Sequence, residues 1–188
     1  MVDLLPIRKG HFRYESGHHS DSWIDLERLF LRPEPVIRLA EQLADRLRAY
    51  EIDAVCGPLV EGAFVALIVA SRLQVPFTYA ERFEGPTADE LYPVQYRVPR
   101  VLRAELRNQR VAIVNDVISA GSAVRGTLRD LSSCGAQCVV IGSLAILGDA
   151  FSTFAAQHDL AVESLWRMPN AIWTEAECPL CRAGEPLS

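Results

Sequence analysis

The sequence predicts an α/β protein: a central parallel sheet flanked by helices, with a small N-terminal subdomain and a mobile hood loop. Three observations carry that expectation. Residues 52–56, 75–80, 110–114, Gln137–Leu147 and 160–166 are short, largely apolar runs, the composition of strands buried on both faces. Helical patterns stand between them, and such alternation marks parallel strands joined by crossover helices. The 188 residues are 49% apolar and 23% charged, close to ordinary globular domains and enough for a core without disulfides.

The elements follow in chain order. Up to Asp25 the chain mixes Gly, His and Ser with Phe12, Tyr14 and Trp23 and shows no helical period, so short strands are expected in a subdomain over 1–32. Val36, Leu39, Ala40, Leu43, Ala44 and Leu47 then recur at three- and four-residue steps, an amphipathic helix entered through Pro33 and Pro35. The strand at 52–56 is expected to stop at the turn residues Gly57 and Pro58, and the apolar stretch 63–73 reads as a buried helix. Residues 83–99, broken by Gly85, Pro86, Pro93 and Pro99, read as a mobile loop with one hairpin-like strand over 92–98. The strand at 110–114 is expected to end at Asn115-Asp116, a small-residue turn leads into a helix over 122–133, and another helix covers 149–158. An α/β core over 33–167 and a tail over 168–188 complete a single expected domain.

Composition narrows the function. A net charge of −5 and a pI near 5.4 speak against a nucleic-acid partner, which requires a basic face. The longest apolar run, residues 63–70, is far short of the ~20 residues of a membrane-spanning helix. Five cysteines, an odd count without a signal-peptide pattern, point to reduced thiols and a cytoplasmic protein. Cys178 and Cys181 have the spacing of a zinc knuckle, but a structural zinc needs four ligands and no second pair has that spacing. Free thiols are the expectation; zinc is the alternative, with Cys134 and Cys138 as further ligands if the fold brings them to the tail.

The chemistry concentrates at one strand-to-helix junction. Small residues at Ser119, Ala120, Gly121 and Ser122 let backbone N–H groups close around a phosphate, and the free amides of the helix start favour an anion. At Gly121 a β-branched side chain would be expected to fill the space the phosphate needs. Asp116 would repel a phosphate, so its partners are expected to be neutral hydroxyls beside one, as on a ribose.

Residues 111–123, VAIVNDVISAGSA, resemble the 5-phosphoribosyl-1-pyrophosphate (PRPP) signature of type I phosphoribosyltransferases. Residues 10–25, GHFRYESGHHSDSWID, are similar to the segment of orotate phosphoribosyltransferases in which a Ser-Gly turn and two aromatics wall the base site. Ser16, Gly17, Trp23 and Ile24 fall on those positions. Residues 56–62, CGPLVEG, resemble the family's pyrophosphate loop, and residues 178–187 resemble the CPLC ending of a bacterial subgroup. Together these stretches span most of the chain in the family's order. The resemblance implies transfer of phosphoribose from Mg²⁺-bound PRPP to a nitrogenous base, most simply orotate, by a homodimer. It assigns Asn115, Asp116, Ser119, Ala120, Gly121, Ser122, Gly57, Pro58, Glu61, Gly62 and Arg82 to PRPP, with Asp116 and Arg82 as the catalytic pair.

The chain departs from the family's pattern in several places. Asn115 stands for the first of two adjacent acidic residues, and the hood loop has no lysine or histidine, leaving its work to Arg82 and, less centrally, Arg97. The cations are 18 Arg and one Lys, Lys9. Glu15 occupies a position where the family often has lysine, and Glu61 lies in the pyrophosphate loop; both would repel phosphate unless turned outward. His18 and His19, on a polar turn, are expected to be solvated. The family typically meets orotate's carboxylate with an arginine just after the strand that follows the PRPP helix, but here none lies between Arg129 and Arg167. These departures keep open another base, or a PRPP- or nucleotide-sensing regulator of the same fold.

Overall fold

A computed structural model describes residues 7–84 and 94–188. Its order is β1 (Ile7–Arg13), β2 (His19–Ile24), α1 (Leu26–Phe30), α2 (Pro33–Leu47), β3 (Ala54–Pro58), α3 (Glu61–Leu73), β4 (Phe77–Glu84), β5 (Val94–Arg97), β6 (Arg110–Ile118), α4 (Ser122–Ser133), β7 (Gln137–Leu147), α5 (Ala150–Gln157), β8 (Val162–Met168), β9 (Ile172–Trp173) and α6 (Pro179–Arg182).

Six strands form one sheet in the order β5-β4-β3-β6-β7-β8, parallel except for β5, which runs antiparallel to β4. Side chains alternate across a strand, so β6 feeds both layers. Ala112 and Val114 join the core made with α2 and α3, whereas Val111 and Ile113 join the core made with α4 and α5. The six apolar positions of α2 named from the sequence are all buried. The expected parallel sheet covered on both faces is therefore present, and β6 lies near its middle. None of the described helices is long and apolar enough to cross a membrane.

Two strand ends differ from the sequence expectation. β3 runs on through Gly57 and Pro58, which pair with Tyr79 and Ala80 of β4. Its pairing with β6 ends at Cys56, so Pro58 sits where a missing N–H removes no bond to that neighbour. β6 continues past Asn115-Asp116 to Ile118, because β7 pairs with it as far as Ile118↔Ile146. A polar pair ends an apolar run in sequence, but a partner strand still satisfies its backbone.

The expected N-terminal subdomain is a three-stranded antiparallel sheet, β1-β2-β9, closed by two tail residues through His19↔Trp173 and Ser20↔Ile172. β9 had no signal in the sequence, since a two-residue strand carries no period. The hood-loop expectation holds for β5, which pairs with β4; residues 85–93 of that stretch lie outside the described residues.

Candidate active site

A cavity of about 740 Å³ opens beyond the carboxyl ends of β3 and β6, where open α/β sheets bind ligands. Its floor runs from Asn115 at the end of β6, through the turn at Ser119–Gly121, into the first residues of α4. Pro58 to Gly62 close one side, Arg82 and Tyr96 a second, and Tyr14, Glu15, Ser16, Trp23 and Ile24 the facing wall. The sequence-named residues Asn115, Asp116, Ser119, Ala120, Gly121, Ser122, Pro58, Glu61, Gly62, Arg82, Ser16, Trp23 and Ile24 thus meet in one cavity. Gly57 and Gly17 lie behind the lining. A Cβ on Gly57 would come within 2.5 Å of the Ala66 Cβ, so this glycine lets α3 press onto β3. Gly17, at φ +80°, turns the chain between β1 and β2.

Asp116 is 7% exposed, and burial pushes its pKa up to about 7, with Glu61 adding repulsion and the Val117 N–H acting the other way. Asn115 donates from Nδ2 to the Val117 carbonyl at 2.9 Å, and its Oδ1 lies against Gly62, where any Cβ would collide with it. The amide expected on a ribose hydroxyl is largely committed to holding the loop. The buried Ser119 Oγ has no hydrogen-bond partner among the described residues, and burying such a group costs free energy until a partner arrives.

Glu15 does not turn outward. Its carboxylate accepts from Ser122 Oγ at 2.8 Å and from Tyr96 Oη at 2.9 Å, with Arg82 Nε at 3.4 Å. It therefore sits at the mouth of the cradle, where the α4 N-terminus and the two hydroxyls favour an anion. Glu61 also faces inward, beside Asp116. Arg82 reaches into the cavity toward Glu15, while Arg97 is not among the lining residues. Among the described lining residues Arg82 is the one cation, against Glu15, Glu61, Glu81 and Asp116. Tyr96, whose hydroxyl burial pushes up, was not singled out from the sequence; its signal was alternation within the strand expected at 92–98.

Gly121 adopts φ +82°, and a Cβ there would strike the Phe151 ring, so its missing side chain serves packing under the cradle. Two further expectations are corrected. His18 and His19 are not a solvated pair. His19 is 3% exposed; His18 bonds Ser16 Oγ at 3.0 Å, and burial lowers its pKa. Cys134 and Cys138 stay with α4 and β7, and the tail thiols of Cys178 and Cys181 meet His11 and His19 instead.

A family model described as a phosphoribosyl transferase domain matches residues 28–163. The orotate phosphoribosyltransferase of Carboxydothermus hydrogenoformans is 30% identical over 99% of this chain and 91% of its own length. That of Caldanaerobacter subterraneus is 29% identical over 98% and 90%. Among solved structures, orotate phosphoribosyltransferase from Aeropyrum pernix superposes with a TM-score of 0.63 at 23% identity, covering 86% of this chain and 87% of that one. Adenine phosphoribosyltransferase from Trypanosoma brucei, solved with AMP, pyrophosphate and ribose-5-phosphate, gives 0.67 at 17%, covering 88% and 77%. At these identities the two structures share the fold.

Proposed function

The chain belongs to the phosphoribosyltransferase family and is a PRPP-dependent transferase, and we propose that its acceptor is orotate, giving orotidine 5′-monophosphate and pyrophosphate reversibly. The observation that carries this reading is the near full-length similarity to orotate phosphoribosyltransferases, joined to a cavity that faces the α4 cradle with the Trp23–Ile24 wall. The 5′-phosphate takes the amides of 119–122 and the orphaned Ser119 hydroxyl. Asp116 receives the ribose hydroxyls and, once ionised, steadies the positive charge that develops on the ribosyl carbon as pyrophosphate leaves. Pyrophosphate leaves past residues 58–62, with Arg82 as the cation that meets it. The base stacks against Trp23 and Ile24, and its ring nitrogen attacks.

Magnesium fits the donor set, because Asp116 and Glu61 supply hard carboxylate oxygens beside the unpartnered Ser119 hydroxyl. Mg²⁺ held there with the substrate's phosphates would neutralise charge on the leaving pyrophosphate. Such neutralisation matters here, since four carboxylates face a single described cation. Val60, Phe64 and Leu67 are about half exposed beside the 58–62 loop, which supports a homodimer packed on the outer face of α3. The acidic charge and reduced cysteines support a cytoplasmic setting.

A second reading, transfer to a base without a carboxylate, rests on the missing arginine. The described cavity wall offers none beyond Arg82; Arg167, on β8 beside Ile146, donates to Ser152 Oγ at 2.9 Å and does not line it. A buried carboxylate without a charged partner loses about 1.5–3 kcal/mol of hydrogen bonding. The test is pyrophosphate release from PRPP and Mg²⁺ with orotate, uracil and the purine bases in parallel. The highest kcat/KM for orotate is expected. A higher value for another base selects the second reading, and PRPP-dependent thermal stabilisation without turnover on any base selects a sensor.

A further inference from the structure

We propose that His11, His19, Cys178 and Cys181 form a structural zinc site that fastens the C-terminal tail to the N-terminal sheet. The four residues come from β1, β2 and the two ends of the CPLC turn, and their ligand atoms all lie within 4.8 Å of one another. The Sγ of Cys178 is 3.5 Å from His11 Nε2, and that of Cys181 is 3.6 Å from His11 Nε2 and 3.2 Å from His19 Nδ1. With Zn–N near 2.0–2.1 Å and Zn–S near 2.3 Å, a regular tetrahedron has N···S edges of about 3.6 Å and an N···N edge of about 3.3 Å. Both thiol spacings to His11 already match. The Cys181–His19 spacing of 3.2 Å and the His11–His19 pair, 2.8 Å apart, open on binding.

Two further features point to a metal. His11 Nδ1 lies 2.7 Å from the Glu185 carbonyl, so Nδ1 carries the proton, Nε2 is left with a lone pair, and the ring has the outer-shell partner typical of metal-bound histidine. The subdomain's apolar filling is also thin: Phe12 is buried against Trp23, but of the described residues before 25, Ile24 alone enters either extended hydrophobic cluster, and none after Met168 does. At the centre of this small sheet stand buried His11, His19, Ser20 and Cys178. A small layer with little apolar filling is the setting in which a metal staple supplies folding free energy. Zinc displaces the two thiol protons and holds thiolates and neutral imidazoles, the ligating forms of these side chains.

The clamp also bears on the cavity. His19 and Trp23 share β2, and β9 pairs with His19 through Trp173, so the site fixes the strand that carries the base-side wall.

The experiment uses the full chain, purified under reducing conditions, stripped with a chelator and reloaded with Zn²⁺ or Co²⁺ alone. Expected are one metal per chain, tetrahedral Co²⁺ d–d bands with a thiolate charge-transfer band, and loss of both signals in Cys181→Ser and His11→Gln. The stripped protein should melt at lower temperature and show a raised KM for the base with the PRPP KM unchanged. Reloading that leaves below about 0.1 equivalent of zinc on wild-type protein overturns the proposal. So does a Co²⁺ spectrum without the charge-transfer band, or full metal retention by Cys181→Ser. The wild-type titration decides the matter even where a variant fails to fold.

Discussion

The two walls of the cavity are built on different principles. The cradle wall comes from one unbroken stretch, Asn115 to Ala123, at the end of a strand paired on both sides and rooted in two hydrophobic cores. The facing wall, Tyr14 to Ser16 with Trp23 and Ile24, stands on a three-stranded sheet whose buried residues are largely polar and which the tail closes. Rigid packing suits the side on which the proposed reaction develops charge, since preorganised groups need no reorganisation during it. The facing wall is fastened separately and carries the proposed base contacts. Glu15 joins the two, reaching from the N-terminal wall to Ser122 at the start of α4.

The largest effect is expected at the cradle. Asp116→Ala should lower kcat/KM by roughly a hundredfold or more with the fold intact; near wild-type turnover would move the chemistry off this wall. Ionisation of Asp116 also sets a pH dependence. Its folded pKa is raised, so the native state keeps a proton that the unfolded chain releases between the ordinary carboxylate range and about 7. This group's contribution to stability therefore declines as pH rises through that window and levels off above it, whereas kcat/KM of the free enzyme rises toward a plateau above about 7. Asp116→Asn should remove both trends, and melting curves from pH 5 to 8.5 would expose an error of sign.

Gly121→Ala should destabilise the protein by about 1–3 kcal/mol, through its left-handed backbone and the collision with Phe151. On the opposite wall, Trp23→Ala should raise KM for the base by roughly tenfold through lost stacking, leaving PRPP unchanged. A parallel rise in the PRPP KM would show that the walls are not independent. Glu15→Gln keeps hydrogen-bonding ability but removes the anion at the cradle mouth, so PRPP should bind roughly fivefold tighter, about 1 kcal/mol. Arg167→Ala should be nearly silent for orotate, because that side chain is engaged with Ser152 outside the cavity; a marked rise in the orotate KM would make it the missing carboxylate partner.

The amino-acid sequence alone determined the parallel sheet, the faces of α2, the span of α4 and the small-residue turn before it. Each of these depends on residues a few positions apart: the 3.6-residue period of Val36 to Leu47, the apolar run of β7, the small residues at 119–122. Tertiary structure decided what depends on distant partners. β7 carries β6 past the polar Asn115-Asp116 pair, Phe151 explains Gly121, and the hydroxyls of Ser122 and Tyr96 draw Glu15 inward. The pairing of His11 and His19 with cysteines more than 150 residues later is of the same kind. A two-cysteine knuckle looks incomplete when ligands are sought only at knuckle spacing. An antiparallel hairpin that pairs His19 with Arg13 brings the His11 ring diagonally against that of His19, and β9 delivers the tail beside them, so strand pairing assembles four ligands that no local spacing records.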